Sequence, residues 1–225
     1  MKKISEIKTK IFDFVLNYIR RENIVNKFHR LYYDSKVWEN TSWLGIECLK
    51  CPLDLWIYQE IIKDLKPDVI IETGTNKGGS ALFLASICDL VGTGSIITID
   101  IKKEIIPKHG RIIYLIGSST DKQTINKIQN LINKKESVLV ILDSEHNKEH
   151  VLKELKIYSK FVSIGSYLIV EDTNINGHPV LPNFGPGPME AIEAFLRENN
   201  DFIVDKSKEK FYLTFNPGGF LFRIK

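Results

Sequence analysis

The stretch Val69-Ile70-Ile71-Glu72-Thr73-Gly74-Thr75-Asn76-Lys77-Gly78-Gly79-Ser80 constrains the fold more than any other part of the chain. A short apolar run ends in an acid, passes through a glycine-rich turn and opens a helical pattern at Ala81-Leu82-Phe83-Leu84-Ala85. The run from Val69 to Ile71 predicts a buried parallel strand. Gly74, Gly78 and Gly79 let the backbone turn tightly and approach a ligand with no Cβ in the way. The unit therefore predicts a nucleotide-like ligand held near backbone amides at a helix N-terminus, with Thr75 and Ser80 at its edges. Spacing narrows the choice. A phosphate loop ends in Gly-Lys-Ser/Thr, an order that Lys77-Gly78-Gly79-Ser80 lacks, and the dinucleotide fingerprint Gly-x-Gly-x-x-Gly fails because residue 76 is Asn. What remains is Glu-x-Gly-x-x-x-Gly.

Beyond the turn, strand-like and helix-like blocks alternate, the pattern of a mostly parallel sheet covered on both faces. Strands are predicted at 95–100, 111–116, 137–143 and 167–172, with helices near 78–91, 121–134, 147–162 and 188–199. At the end, Phe211-Tyr212-Leu213-Thr214-Phe215 and Phe220-Leu221-Phe222-Arg223-Ile224 flank Asn216-Pro217-Gly218-Gly219 and predict an antiparallel hairpin closing the sheet. A length of 225 residues fits one such α/β domain, taken as 41–225, behind an N-terminal extension, 1–40.

That extension is basic, and Ile4, Ile7, Ile11, Phe14 and Tyr18 recur at three- and four-residue steps, the apolar stripe of an amphipathic helix. Docking onto the chain's own core or a second subunit is one reading, which makes a homo-oligomer the expectation. Peripheral contact with an anionic membrane surface is the other. Charges interrupt every apolar run, so neither a signal peptide nor a membrane span is predicted, and three cysteines without a disulfide framework point to the cytoplasm. The pair Cys48 and Cys51 has no second pair to complete a zinc site and reads as coincidence. A net charge of +3 does not argue for nucleic acid.

In open α/β sheets ligands bind beyond the carboxyl ends of the strands, so Glu72, Asp100, Ser118, Ser119, Asp143, Glu171 and Asp172 converge on one rim. Asp100 suits the two hydroxyls of a ribose, and Ser118 or Ser119 would lie near an adenine. Asp143, Glu171 and Asp172 would crowd adjacent strand ends, where a divalent cation relieves their repulsion. Hard oxygen ligands favour Mg²⁺, with Mn²⁺ or Ca²⁺ as substitutes. His146, three residues past Asp143, suits a general base for a hydroxyl proton, and His178 is the competing candidate.

With these residues placed, the glycine turn is similar to the first motif of class I S-adenosylmethionine (SAM)-dependent methyltransferases, and the chain resembles the cephalosporin hydroxylase and rhamnosyl O-methyltransferase family of that Rossmann-like fold. The resemblance rests on Trp43-Leu44-Gly45, Cys51-Pro52-Leu53-Asp54-Leu55-Trp56, Ile71-Glu72-Thr73-Gly74, Leu142-Asp143-Ser144, Val170-Glu171-Asp172-Thr173, Gly185-Pro186-Gly187-Pro188 and Asn216-Pro217-Gly218-Gly219. It implies a seven-stranded sheet, SAM at Glu72, Gly74, Asp100 and Ser118, and Mg²⁺ at Asp143, Glu171 and Asp172. Ser118 stands where the pattern has aspartate. The activity implied is methylation of a hydroxyl on a sugar, glycolipid or related small molecule, with His146 and Asp143 catalytic and the segment from Gly177 to Pro188 covering the acceptor. A nicotinamide-linked oxidoreductase and a catalytically silent SAM-fold subunit remain as alternatives.

Overall fold

The computed structural model describes residues 20–102 and 106–225, so the stripe from Ile4 to Tyr18, and with it the membrane and subunit contacts expected of that stripe, lies outside the described residues. The described chain opens with helix α1 (20–34), a short 3₁₀ turn (Val37–Asn40) and a two-strand ribbon, β1 (Ser42–Trp43) and β2 (Ile46–Glu47). The main body then runs α2 (Pro52–Leu65), β3 (Val69–Thr73), α3 (Gly79–Val91), β4 (Ser95–Asp100), β5 (Ile112–Ile116), α4 (Lys122–Leu131) and β6 (Val138–Leu142). It continues with α5 (Lys148–Tyr158), β7 (Tyr167–Val170), α6 (Pro188–Glu198), β8 (Phe202–Val204) and β9 (Phe220–Arg223).

Seven strands form one sheet in the order β5-β4-β3-β6-β7-β9-β8. Strands β5, β4, β3, β6 and β7 are parallel, and β9 runs antiparallel between β7 and β8. β3 and β6 are buried along their whole length because both faces are covered; β6 is apolar throughout, and β3 is apolar as far as Ile71 before Glu72 and Thr73. Strand alternation divides the core. Val69, Ile71, Ile97, Ile99, Val140 and Leu142 pack under α4, α5 and α6. Ile70, Ile96, Leu139 and Ile141 pack under α2 and α3. At about 25 cal/mol per Å², each of these side chains contributes roughly 1.5–3 kcal/mol. Helices thus lie on both faces, as the alternating pattern predicts.

The closing antiparallel strand is present, but its second partner differs from the one expected. Residues 211–215 form no strand; β9 pairs with β8 at Phe202–Val204, which the sequence reading did not assign. The aromatic run is strand-like by propensity, and tertiary packing overrides it. Phe215 is buried among Tyr32, Tyr33 and Trp38, and its N–H donates to Asp54 Oδ2 at 2.8 Å, not to a ladder.

This aromatic cluster also docks α1. His29 stacks on Phe215 with ring centroids 5.7 Å apart, and its Nε2 lies 3.0 Å from Asn174 Nδ2, so the neutral ring accepts from the amide. Burial, followed by the neighbouring Arg30, lowers the His29 pKa to about 4. An undocked His29 titrates near 6.5, so the undocked state takes up a proton first as the solution is acidified. Docking is therefore at full strength above pH 6.5 and weakens by up to about 3 kcal/mol towards pH 4. Protection factors of the α1 amides, that is, exchange rates taken relative to the intrinsic rate at each pH, should fall over that window relative to pH 7, and His29→Gln should flatten the change. An equal slope in the variant would assign the effect to other groups.

Candidate active site

Strand register sets the site. Thr73 lies level with Ile99 on one side and Leu142 on the other, and Leu142 is level with Val170. The next residue of each strand, Gly74, Asp100, Asp143 and Glu171, therefore emerges at the same edge. β3 is where the strand order reverses, since β4 follows on one side and β6 on the other, and such a switch point opens a crevice between the loops.

On the β4 and β5 side that crevice is a cavity of about 340 Å³, lined by Gly74, Asn76, Asp100, Ser118, Ser119 and His150 among others. Its size lies within the range of small-molecule sites. Asp100 is aimed by two backbone amides: Asn76 N–H donates to Oδ2 at 2.9 Å and Lys102 N–H to Oδ1 at 3.0 Å. Each oxygen keeps lone-pair capacity for a ribose hydroxyl. The tight β3 turn is enforced by Gly74, whose φ is +88° and whose missing Cβ would lie 1.9 Å from the Asp143 carbonyl oxygen.

Glu72, Thr75, Gly78 and Ser80 do not line this cavity. Glu72 is fully buried beneath the turn, with Oε2 accepting from Thr98 Oγ1 at 2.6 Å and Oε1 without a hydrogen-bond partner among the described residues. Burial raises its pKa against the pull of Lys50 and the Ser80 and Thr98 hydroxyls. Thr75 is buried and bonded to Thr98 at 2.7 Å. The structure thus gives Glu72 and Thr75 a place behind the glycine turn, supporting its shape, while Gly74, Asp100, Ser118 and Ser119 face the space a cofactor would fill. Gly78 caps α3 in the left-handed region with φ +80°, and Ser80 lies in the buried first turn of that helix.

On the β6 and β7 side the acids separate into two groups. Asp143, His146 and Asp172 bring one potential ligand atom each to within 4.8 Å of the others. His146 Nε2 lies 3.5 Å from Asp143 Oδ1 and 3.2 Å from Asp172 Oδ2. These are ion-pair distances without hydrogen-bond geometry, and the buried nitrogen has no hydrogen-bond partner among the described residues. Burial disfavours the imidazolium, but the carboxylates of Asp172 and Asp143 outweigh it and push the pKa up to about 9. The two carboxylate oxygens fit a hard divalent cation, and the unpartnered imidazole nitrogen beside them is left to act on a neighbouring proton.

Glu171, expected in the same ligand set, is turned away. Its Oε2 binds Lys50 Nζ at 2.6 Å and its Oε1 accepts from Tyr58 OH at 3.0 Å. Lys50 also pairs with Asp143 Oδ2. The repulsion that the sequence suggested a metal would relieve is met in part by this ammonium, which is buried and whose charge the two acids stabilise against burial. Asp172 sits in the left-handed region with φ +53° and is held there by its N–H donating to Asn216 Oδ1 at 3.1 Å. Asn216 Nδ2 in turn donates to Tyr58 OH at 2.9 Å. A buried polar layer, Lys50, Tyr58 and Asn216, therefore positions all three strand-end acids.

None of that layer was identified from the sequence, and neither was His150, whose Nε2 lies 3.2 Å from both Ser119 and Ser144. Lys50 alone left a signal: a cation between two cysteines in an otherwise apolar stretch. His178, the competing base, is not in the cluster. It pairs with Glu190 at 2.9 Å, which also binds Asn176 Nδ2 and the Gly187 N–H. Those contacts, with Lys148 N–H donating to Pro186 O at 3.0 Å and Arg30 Nε to Pro179 O at 3.0 Å, pin the segment from Gly177 to Pro188 at several points.

The profile of the family described as Rhamnosyl O-methyltransferase/CmcI matches residues 35–224. A rhamnosyl O-methyltransferase of Mycobacterium tuberculosis is 42% identical over 216 residues, covering 92% of this chain and 88% of that protein. The one from Mycobacterium leprae is 41% identical over 209 residues, covering 90% of this chain and 91% of that protein. Among solved structures, CmcI with Mg and SAM aligns with a TM-score of 0.64 at 21% identity, over 83% of this chain and 78% of that one. An O-methyltransferase from Bacillus cereus in complex with SAH aligns with a TM-score of 0.53 at 15% identity, over 68% of this chain and 72% of that one. At these identities the solved structures bear on the fold alone.

Proposed function

The chain belongs to the Rhamnosyl O-methyltransferase/CmcI family and is a SAM-dependent O-methyltransferase; we propose that it acts with Mg²⁺ on a hydroxyl of a sugar, with a rhamnosyl group as the leading candidate. The observation that supports this most is the convergence of Asp143, His146 and Asp172 beside the cavity lined by Gly74 and Asp100. The family places methyl transfer where the sequence had left a nicotinamide-linked reaction open.

In this reading Gly74, Asp100, Ser118 and Ser119 hold SAM, with Asp100 aimed at the ribose and Glu72 and Thr75 supporting the turn from behind. Asp143 and Asp172 would hold the metal. When bound, SAM supplies an electrophilic methyl group and Mg²⁺ supplies a charge that acidifies a neighbouring hydroxyl. His146 accepts the hydroxyl proton at Nε2. Its pKa of about 9 depends on two uncompensated carboxylates, so neutralising them returns the ring towards its ordinary range, where it can act as a base. The pinned segment from Gly177 to Pro188 walls the acceptor side, leaving positioning and charge stabilisation to supply most of the rate gain.

Purified protein given SAM, Mg²⁺ and a synthetic rhamnoside should yield a product heavier by one methylene on mass spectrometry, and chelation of the metal should abolish it. Asp143→Ala should remove Mg²⁺ dependence while SAM affinity stays within about threefold, a change well under 1 kcal/mol. Undiminished turnover under chelation would overturn the metal assignment, and transfer to other sugars but no rhamnoside would overturn the acceptor.

A further inference from the structure

His150, Glu154 and Tyr158 follow one another at four-residue steps along α5, so they share one face of that helix, and that face meets the turn after β5. Tyr158 OH donates to the backbone oxygen of Ser119 at 2.8 Å and fixes the turn. Glu154 is 0% exposed; its Oε1 accepts from Ser144 Oγ at 2.8 Å, and its Oε2 has no hydrogen-bond partner among the described residues. A carboxyl group buried with so little pairing is costly, and no element of the fold requires it there. The backbone of His150 is anchored by its N–H, which donates to Asn147 Oδ1 at 2.9 Å. Its Nε2 then stands 3.2 Å from Ser119 Oγ and 3.2 Å from Ser144 Oγ.

The direction of these hydrogen bonds follows from the donors. Ser144 spends its hydroxyl hydrogen on Glu154, so towards His150 it offers only a lone pair. Glu154 Oε1, 3.5 Å from the same nitrogen, is an acceptor too. An unprotonated Nε2 would set its lone pair against both oxygens, so Nε2 carries the hydrogen. The hydrogen bond to Glu154, foremost among the influences on this ring, raises its pKa in the same sense. Ser119 Oγ therefore accepts from Nε2 as well. Its own hydrogen is left to point into the cavity that Ser119 lines.

We propose that Glu154 and His150 are positioning residues that act through Ser119: they fix its hydroxyl as a donor, which engages a ring nitrogen of the cofactor's adenine and not the amino group. Ser118 stands where the family pattern has aspartate, an acceptor suited to that amino group, so a donor at Ser119 holds the base through a different atom. The role rests on the placement of SAM in this cavity proposed above.

The test is calorimetric titration of the full chain with S-adenosylhomocysteine (SAH). Ser119→Ala and His150→Leu should each lower SAH affinity by about fivefold to tenfold, the loss of one neutral hydrogen bond. The double variant should be no more than about twofold weaker than either single one, because both remove the same contact. His150→Gln keeps an N–H donor of similar reach and should stay within about threefold of the unaltered protein. A histidine that merely supported the fold would add its loss to that of Ser119→Ala, and glutamine would not replace it.

Should His150→Leu fail to fold, three SAH analogues carry the test, each with one of the ring nitrogens N1, N3 or N7 of adenine replaced by CH. At least one should bind the unaltered protein about fivefold to tenfold more weakly than SAH, and that difference should vanish in Ser119→Ala. Additive losses in the double variant, or analogue losses that all persist in Ser119→Ala, would overturn the role of His150 and Glu154 while leaving SAM in its cavity. Absence of SAH binding to the unaltered protein would overturn the role together with the placement of SAM.

Discussion

Replacing His146 by glutamine should lower methyl transfer by about 10²–10⁴ while Mg²⁺ affinity measured at pH 9, where a proton on the ring competes little, changes by less than about tenfold, the pattern of a lost base and a retained metal site. Asp172→Asn should do the reverse at the binding step and lose Mg²⁺. The reason lies in the orphaned nitrogen: Nε2 is 3.2 Å from Asp172 Oδ2 and 3.5 Å from Asp143 Oδ1 with no hydrogen bond to either. A pKa near 9 means the ring is charged at neutral pH when those acids lack a cation, so Mg²⁺ has to displace that proton. Mg²⁺ affinity of the unaltered protein should therefore increase as pH rises towards 9, and in His146→Gln that increase should disappear. If the glutamine variant loses Mg²⁺ as thoroughly as Asp172→Asn, His146 is a ligand and the base lies elsewhere.

Gly74→Ala should abolish SAM binding and destabilise the fold. The position has φ +88°, which alone costs an alanine about 1–2 kcal/mol, and the added Cβ would stand 1.9 Å from the carbonyl oxygen of Asp143. That oxygen belongs to the backbone at the end of β6, where Asp143 N–H donates to Thr73 O at 3.1 Å. The strands cannot move apart without breaking this pairing, so overpacking adds roughly 1–3 kcal/mol and displaces Asp143 from the metal side as well. Gly92→Ala is the matched control. It shares the left-handed backbone, with φ +82° at the C-terminus of α3, but its Cβ would meet nothing within 4 Å. It should lower the melting temperature slightly and leave SAM affinity unchanged. Normal SAM binding by Gly74→Ala would remove the glycine turn from the cofactor site.

The parts of the fold carried by local pattern were legible. Apolar runs with acids at their carboxyl ends identified β3, β4, β6 and β7, because a strand buried on both faces is largely apolar and gathers its polar residues towards the end where it leaves the sheet. The same rule put Asp100, Asp143, Glu171 and Asp172 on one rim before any register was known; it put Glu72 there as well, but Glu72 lies inside β3 and is buried beneath the turn. Residues 211–215 misled because their side chains are as apolar as a strand's, yet Leu213 and Phe215 serve as the floor under α1, and propensity alone does not distinguish the two. The division of labour among the acids was also hidden. Glu171 and Asp172 are adjacent in sequence, but β7 ends at Val170 and Asp172 takes a left-handed conformation fixed by Asn216, which aims the two carboxylates at different partners.

By itself the sequence determined the doubly wound sheet, the glycine turn and the rim on which the acids gather, since strand burial, the need for positive φ and the period of a helix are read from neighbours along the chain. The tertiary structure alone decided that Lys50 pairs with Asp143 and Glu171, that Tyr58 and Asn216 join them, and that Glu72 supports the turn from beneath. Those outcomes depend on side chains distant in sequence, about a hundred residues apart for Lys50 and its two acids, meeting in a buried space where an unpaired charge is strongly disfavoured, and partners of that kind are chosen by packing.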